Sequence, residues 1–345
     1  MNTRILRIDP QHPDSTAIAE AAEILRSGGL VAFPTETVYG LGADATSAKA
    51  VSSIFEAKQR PLTDPIIVHI ADYEALESVA KNIPPIVETL AQQFWPGALT
   101  LILERSEHIP PIVSANQPTV AVRMPAHPVA QALIRAANIP IAAPSANAFS
   151  RPSATTAAHA LQDLDGRIDA VLDGGQTMIG VESTVLELSG KYPRILRPGG
   201  VSLEQLQILL PEVTIRTELI EMSAAAEAPG QLIKHYSPRA KVLLFPDEKS
   251  LPALIHAAQG RIAKGQRVGI IGLNGEMPAF SGLNIALFPL GVTLEDAARN
   301  LFAGLRALDE QQMDVILAHG YSRKGIGAAI WDRLLRAAEG KVQGS

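Results

Sequence analysis

Apolar positions along this chain follow two rhythms, and their alternation predicts most of its elements. Short continuous apolar runs at residues 30–33 and 66–70 read as strands covered on both faces. Further strands are expected at 5–8, 99–103, 119–123, 139–143, 170–172, 183–188 and 194–196. Helical spacing marks residues 15–27, where Ile18, Ala22 and Leu25 share one side and Gly28-Gly29 closes the helix. Helices are also expected at 48–57, 73–80, 86–94, 128–137, 155–164 and 203–210, with the Thr155-Thr156 pair suited to cap one of them. Neighbouring strands without an intervening helix imply a mixed sheet, so residues 1–211 read as one α/β domain. The pattern lapses over 212–239, a linker in which Pro229-Gly230 and His235-Tyr236-Ser237-Pro238 stand out among small residues. It resumes over 240–345: strands at 241–245, 267–272, 284–289 and 315–318 alternate with helices at 251–264, 294–309 and 326–338. That predicts a smaller, Rossmann-like α/β domain on a parallel sheet.

Composition narrows the class. The 345 residues are 47% hydrophobic and 19% charged, as expected for a globular chain with a sizeable core. The net charge is −5, divided as −7 over residues 1–239 and +2 over the rest, so a broad polynucleotide footprint is not expected. Cysteine is absent, which removes disulfides, thiolate catalysis and zinc–thiolate sites. No signal-peptide core or membrane-length apolar run occurs, and a cytoplasmic protein is expected.

Candidate chemistry gathers just beyond predicted strands, where open α/β sheets bind ligands. The stretch FPTETVYGLG follows the strand at 30–33 with hydroxyls, one carboxylate and two glycines, Gly40 and Gly42, read as a bend. AKQRPLTDPIIVH contributes Lys58, Arg60, Asp64 and His69. TVAVRMP and APSANAFSRPSA contribute Thr119, Arg123, Ala143, Ser145, Asn147 and Ser153. GVESTV and RILRPGG contribute Glu182, Ser183, Thr184, Arg194 and Arg197. Each cluster also has a plain structural reading: Lys58 and Arg60 as helix-end cations, the segment at 144–147 as a turn, His69 as a core histidine, and Arg197 as a turn cap. No P-loop, complete dinucleotide fingerprint, nucleophile elbow or zinc-protease motif is present. What remains is guanidinium, ammonium, hydroxyl and amide groups, a set suited to a polyanion such as a nucleoside triphosphate.

Together, PTETVYGLG, KQRPLTDPIIVH, FWPGALT, VAVRMP, APSAN, GVESTV and ILRPGG resemble the YrdC-like threonylcarbamoyl-adenylate synthases over residues 15–210. APGQLIKHYSP and GIGAAIWDRL resemble the two-domain form of that family. The resemblance implies a YrdC-like mixed twisted sheet with a concave basic site. It implies condensation of L-threonine, bicarbonate and ATP to threonylcarbamoyl-AMP and pyrophosphate, with Mg²⁺ arriving on ATP and no covalent enzyme nucleophile. It also implies downstream tRNA threonylcarbamoyltransferase partners. ATP would be held by Lys58, Arg60, Asp64 (where the family commonly has Asn), Thr119, Ser145, Asn147, Ser153, Arg197, His235 and Tyr236, the last two closing from the linker. L-threonine would be held by Thr37, His69, Arg123, Ala143 and Ser183, with Thr35 and Glu36 bracing the loop and Tyr39 packing. The competing reading is a non-catalytic RNA-binding module.

Overall fold

The structure, a computed structural model, describes residues 2–188, 192–216 and 236–344. In chain order its first part comprises β1 (Arg4–Arg7), α1 (Ser15–Arg26), β2 (Val31–Phe33), β3 (Gly40–Asp44), α2 (Ala48–Lys58), β4 (Ile67–His69), α3 (Leu76–Val79), β5 (Ala80–Lys81), α4 (Ile86–Phe94), β6 (Leu99–Arg105), β7 (Thr119–Arg123), α5 (Pro128–Ala137), β8 (Ile141–Ala142), α6 (Ala157–Leu164), β9 (Ala170–Asp173), β10 (Thr184–Glu187), β11 (Arg194–Arg197), α7 (Leu203–Gln207) and β12 (Thr214–Ile215). The second part comprises β13 (Lys241–Phe245), α8 (Leu251–Ile262), β14 (Val268–Gly272), β15 (Ala286–Pro289), α9 (Leu294–Glu310), β16 (Val315–His319) and α10 (Gly327–Ala337).

The first part is a mixed sheet in the order β1-β9-β2-β3-β8-β4-β7-β6-β10-β11-β12, with β5 at the side of β6. Burial on both faces explains the continuous apolar runs. Within β2, Val31 and Phe33 enter the core beneath α1 and α5, while Ala32 enters the larger core on the opposite face. Local signals set the helix starts. The Asp14 carboxylate accepts the Thr16 and Ala17 amides to open α1, and the Thr156 hydroxyl accepts the His159 amide to open α6.

The second part is a parallel sheet in the order β13-β16-β14-β15. Helix α8 contributes to the core on one face, and α9 and α10 to the core on the other. The α9/α10 core also takes in Val38 and Val181 from the first part, and Tyr236. Thus one apolar core spans the junction of the two sheets. Ion pairs frame it: Arg306 on α9 reaches Asp163 at 2.6 Å, and Arg151 reaches Asp309 at 2.6 Å.

Two expectations are revised. The helix expected at 73–80 is confined to Leu76–Val79. The glycines of FPTETVYGLG do not bend the chain but lie inside β3, which pairs antiparallel with β2, Phe33 opposite Gly40 and Val31 opposite Gly42. Their role is close approach: a Cβ at Gly42 would stand 2.8 Å from the Phe33 ring and 2.9 Å from an Ile141 methyl. The turn is made instead by the six residues 34–39, of which Thr35, Thr37, Val38 and Tyr39 line a cavity.

Gly42→Ala is therefore expected to destabilise the protein by roughly 1–3 kcal/mol through overpacking. Gly260→Ala, on an exposed face of α8 with nothing within 4 Å of the added methyl, is expected to stabilise it by up to about 1 kcal/mol. Urea-denaturation midpoints compare the two; a neutral Gly42→Ala would show that the strand contact is loose.

Candidate active site

Seven segments meet at one cavity. They are the 34–39 turn, Arg60 beyond α2, the ends of β4 and β7, the turn after β8, the segment leading into β10, and the end of β11. Sheet register aligns two of the side chains directly, because β4 and β7 are parallel and pair His69 with Arg123. An isolated bridge between Gly40 and Ser145 brings the turn after β8 against the start of β3. Gly199 allows the chain leaving β11 to lie on the 182–184 backbone: a Cβ there would be 2.3 Å from the Glu182 carbonyl oxygen and the Thr184 nitrogen.

Of the candidate residues, Thr37, Arg60, His69, Arg123, Ala143, Ser145, Ser183, Arg197 and Tyr236 line the cavity together. Lys58, Asp64, Asn147 and Ser153 lie behind this wall. The Lys58 ammonium is buried and donates to the carbonyls of Ser145 and Asn147, so it shapes the turn that carries Ser145. Burial, then the Arg60 charge, push the Lys58 pKa below the ordinary lysine value. Asn147 donates its amide to the carbonyls of Ala148 and Arg151, at 2.8 and 2.9 Å. Thr119 is half-buried at the start of β7, at the other end of that strand from Arg123. His235 and the greater part of the expected linker lie outside the described residues.

On one side of the cavity the polar groups form a directed chain. Arg123 Nη1 donates to Thr37 Oγ1 at 2.9 Å, Nε donates to the Gly97 carbonyl at 3.1 Å, and Nη2 faces the Glu36 carboxylate at 2.7 Å. The Thr35 hydroxyl donates to the Val38 carbonyl at 2.6 Å, so its contact with Thr37 at 2.8 Å must be donated by Thr37. Thr37 Oγ1 is then left with acceptor capacity, fit for an amine or hydroxyl. Arg123 has five donors, and the three contacts above leave N–H groups for a carboxylate. His69 Nδ1 is buried with no hydrogen-bond partner among the described residues. Burial, then the Arg123 charge, lower the His69 pKa to about 3, so the imidazole is neutral.

The other side is cationic. Arg60 pairs with Asp64 at 2.9 Å and donates to the carbonyls of Asp64 and Pro65. Arg197 donates to the Ser183 carbonyl at 3.1 and 3.0 Å, and to Ser183 Oγ at 3.2 Å. Ser183 Oγ also meets Thr100 Oγ1 at 2.7 Å. Tyr236, fully buried, completes this wall, with its backbone in the left-handed region at φ 60°. The Ser237 amide fixes it by donating to the Ser150 carbonyl at 2.7 Å. With Tyr236 in this position the cavity leaves about 40 Å³ open to the centres of water molecules. That is room for a few waters, and a triphosphate enters only if this wall moves.

The pattern of polar residues gave Glu36 only a loop-bracing role, named Glu182 without a partner and did not single out Arg333. Glu36 and Glu182 stand beside recognised positions, and Arg333 comes from α10 in the second part. A carboxylate inside a buried segment requires a cation, which is the signal that marks Glu36 and Glu182 for pairing, but their partners are distant in sequence.

The fold and site define a class: an α/β protein with a closed cavity walled on one side by the Arg60 and Arg197 guanidiniums and on the other by Thr37, neutral His69 and Arg123. Among known proteins, residues 23–199 match the family profile described as “Telomere recombination”, that of Sua5, YciO and YrdC. Residues 201–339 match the profile described as “Threonylcarbamoyl-AMP synthase, C-terminal domain”. The threonylcarbamoyl-AMP synthase of Pyrococcus abyssi is 46% identical, over 92% of this chain and 93% of the relative. That of Bacillus subtilis is 43% identical, over 97% and 94%. The crystal structure of P. abyssi Sua5 complexed with L-threonine has a TM-score of 0.93 at 42% identity and covers 99% of both chains. This chain belongs to the threonylcarbamoyl-AMP synthase family, in its two-domain form.

His69 is expected to stay neutral in the folded protein from about pH 8 down to about pH 5, since only the unfolded chain binds its proton near the ordinary value of about 6.5. Its contribution to stability therefore falls as pH drops from 6.5 toward 3. Imidazole ¹⁵N shifts check this; a transition near pH 6.5 in folded protein would contradict the burial.

Proposed function

We propose that this chain is an L-threonylcarbamoyladenylate synthase, a nucleotidyltransferase that condenses L-threonine, bicarbonate and ATP to threonylcarbamoyl-AMP, pyrophosphate and water. The observation that carries the reading is the convergence, in one cavity, of Thr37, neutral His69 and Arg123 with the buried guanidiniums of Arg60 and Arg197. Arg123 would clamp the threonine carboxylate. Thr37, neutral His69 and Ser183, with the Ala143 backbone, would take its amine and hydroxyl. A neutral His69 suits this role, because an imidazolium would repel the amine. Arg60 and Arg197 would neutralise the triphosphate, with Ser145 near the α-phosphate. Lys58, Asp64, Thr119, Asn147 and Ser153 would support or border that side, and His235 would join Tyr236 in the closure.

In the reaction, the threonine amine and bicarbonate form a carbamate, with water as the leaving molecule. A carbamate oxygen then attacks the α-phosphorus, and the bond to pyrophosphate breaks. Every nucleophile belongs to a substrate, so the protein acts by positioning and electrostatic stabilisation. Among the described residues no group of three or more acidic or histidine side chains converges to hold a metal ion. Mg²⁺ would accordingly be carried by the triphosphate oxygens, as is usual for this ion. Tyr236 would swing out to admit ATP and return to exclude water from the labile carbamate. The product would pass to tRNA threonylcarbamoyltransferase proteins in the cytoplasm. No described helix is long and apolar enough to cross a membrane. The site's cations lie below the surface, out of reach of a polynucleotide backbone running across it, which disfavours the RNA-binding reading.

Mass detection of threonylcarbamoyl-AMP, with threonine, bicarbonate and ATP omitted in turn, tests the reading. Product is expected only when all three are present, and product without threonine would sink it. Arg60→Ala is expected to lower pyrophosphate release by about 10- to 1,000-fold. It should be paired with Asp64→Asn, because removing Arg60 alone breaks the buried Arg60–Asp64 pair, at roughly 3–5 kcal/mol. Unchanged turnover in the double variant would remove Arg60 from phosphate binding. Tyr236→Ala is expected to lower turnover while circular dichroism stays unchanged; wild-type rates would remove the closure step.

A further inference from the structure

The cavity wall holds one carboxylate that a triphosphate should not tolerate. Glu182 lines the same cavity as Arg60, Arg197 and Tyr236 and is buried. Both of its oxygens are engaged. Oε1 accepts the Ser153 hydroxyl, and Oε2 accepts Arg333 Nε at 2.7 Å. Arg333 is carried by α10 of the second part and is fully buried. Its Nη2 donates to the Pro198 carbonyl at 3.1 Å, next to Arg197, and Nη1 donates to Asp332 at 2.5 Å. Its guanidinium also lies 5.1 Å from the Tyr236 ring centre, and Phe302 of α9 packs against that ring at 5.2 Å.

The second part is seated on this segment with little freedom. At Gly180, φ +81°, a Cβ would stand 2.3 Å from the Arg299 Cα and 2.5 Å from the Ala298 carbonyl oxygen, both on α9. Arg299 Nε donates to the Met178 carbonyl at 2.8 Å, and the Gly180 amide donates to the Thr37 carbonyl at 3.0 Å. Helices α9 and α10 therefore hold the 178–182 segment from one side while the threonine corner holds it from the other. Burial alone would raise the Glu182 pKa, but Arg333 and Arg197 outweigh it and hold the carboxyl below its ordinary value. Glu182 is thus an anion facing the anion pocket.

We propose that Arg333 is a positioning residue for ATP: the second domain supplies the cation that neutralises Glu182. Without it, Glu182 would repel the triphosphate and draw Arg197 away from it. With it, Arg197 and Arg60 keep their charge directed at the phosphates, and the guanidinium gives the Tyr236 ring a seat. This assigns the second domain a direct electrostatic part in the site. The inference rests on the reading of this wall as the ATP side.

The test uses the full chain, with binding of a non-hydrolysable ATP analogue measured by calorimetry beside the KM values for ATP and threonine. R333Q is expected to weaken analogue binding and raise the ATP KM at least tenfold, with the threonine KM within about threefold of wild type. E182Q/R333Q, which removes the anion with its partner, is expected to return analogue affinity to within about threefold of wild type. R333K, which keeps the charge, is expected to do the same. R333Q binding the analogue like wild type would overturn the inference. So would a folded double variant that binds as weakly as R333Q, since Arg333 would then be only a strut. If R333Q does not fold, R333K and the double variant decide alone, and a tenfold loss in either overturns the charge account. Wild-type protein that binds no analogue would instead overturn the ATP reading itself.

Discussion

A guanidinium taken out of water needs an anion or a set of carbonyl oxygens around it, and this need organises the structure. Arg60 has Asp64, Arg123 has Glu36, Arg306 has Asp163 and Arg333 has Glu182, at 2.6 to 2.9 Å. Removing one partner from such a pair leaves an uncompensated buried charge at roughly 3–5 kcal/mol. Keeping both fixes the planar fork of donors in one orientation. The buried cations are therefore held in fixed orientations with no ligand present. For the reaction proposed at this site, such fixed charges would need little reorganisation, and that is the condition for electrostatic stabilisation to be effective.

The sheet supplies the precision that this pairing requires. Parallel register puts His69 beside Arg123, and the antiparallel β2–β3 pair carries both ends of the 34–39 turn on buried backbone. That turn has no freedom to slip, because a one-residue shift would exchange the two core faces of β2. Glycines at 42, 180 and 199 act through close approach to side chains or backbone, and each lies on or beside a segment that bears a site residue. Gly180 alone of the three also has a positive φ, so substitution there meets both strain and collision.

Much of this was legible in the chain. Continuous apolar runs identified β2 and β4, and helical spacing placed α1, α4 and α5 nearly to the residue. Strand β3 was hidden because Gly40-Leu41-Gly42-Ala43-Asp44 has no β-branched residues. Its strand character comes from Phe33 and Ile141 packing into the space that side chains would otherwise fill. The hydroxyls and cations of the site were visible as clusters after strands. Which of them face the cavity was not, since Lys58 and Arg60 are two residues apart yet one donates backward to a turn and the other lines the wall. Charge partners were least legible: Glu182 and Arg333 are 151 positions apart, and only the docking of α10 brings them together.

The docking also explains why the second domain and the linker's end behave as one unit with the first. Val38 and Val181, which stand beside Thr37 and Glu182 of the cavity region, are buried in the same apolar core as Phe302, Leu301 and Ile330. Apolar burial of this kind contributes on the order of 25 cal/mol per Å² and falls steeply when a packed surface is pulled apart. Opening the site by lifting the whole second domain would expose that core and strip Glu182 of its cation together. Moving Tyr236 alone would expose one ring and leave the Arg333–Glu182, Arg306–Asp163 and Arg151–Asp309 pairs in place. If the proposed opening step operates, a small gate at Tyr236 would thus cost less than a domain swing.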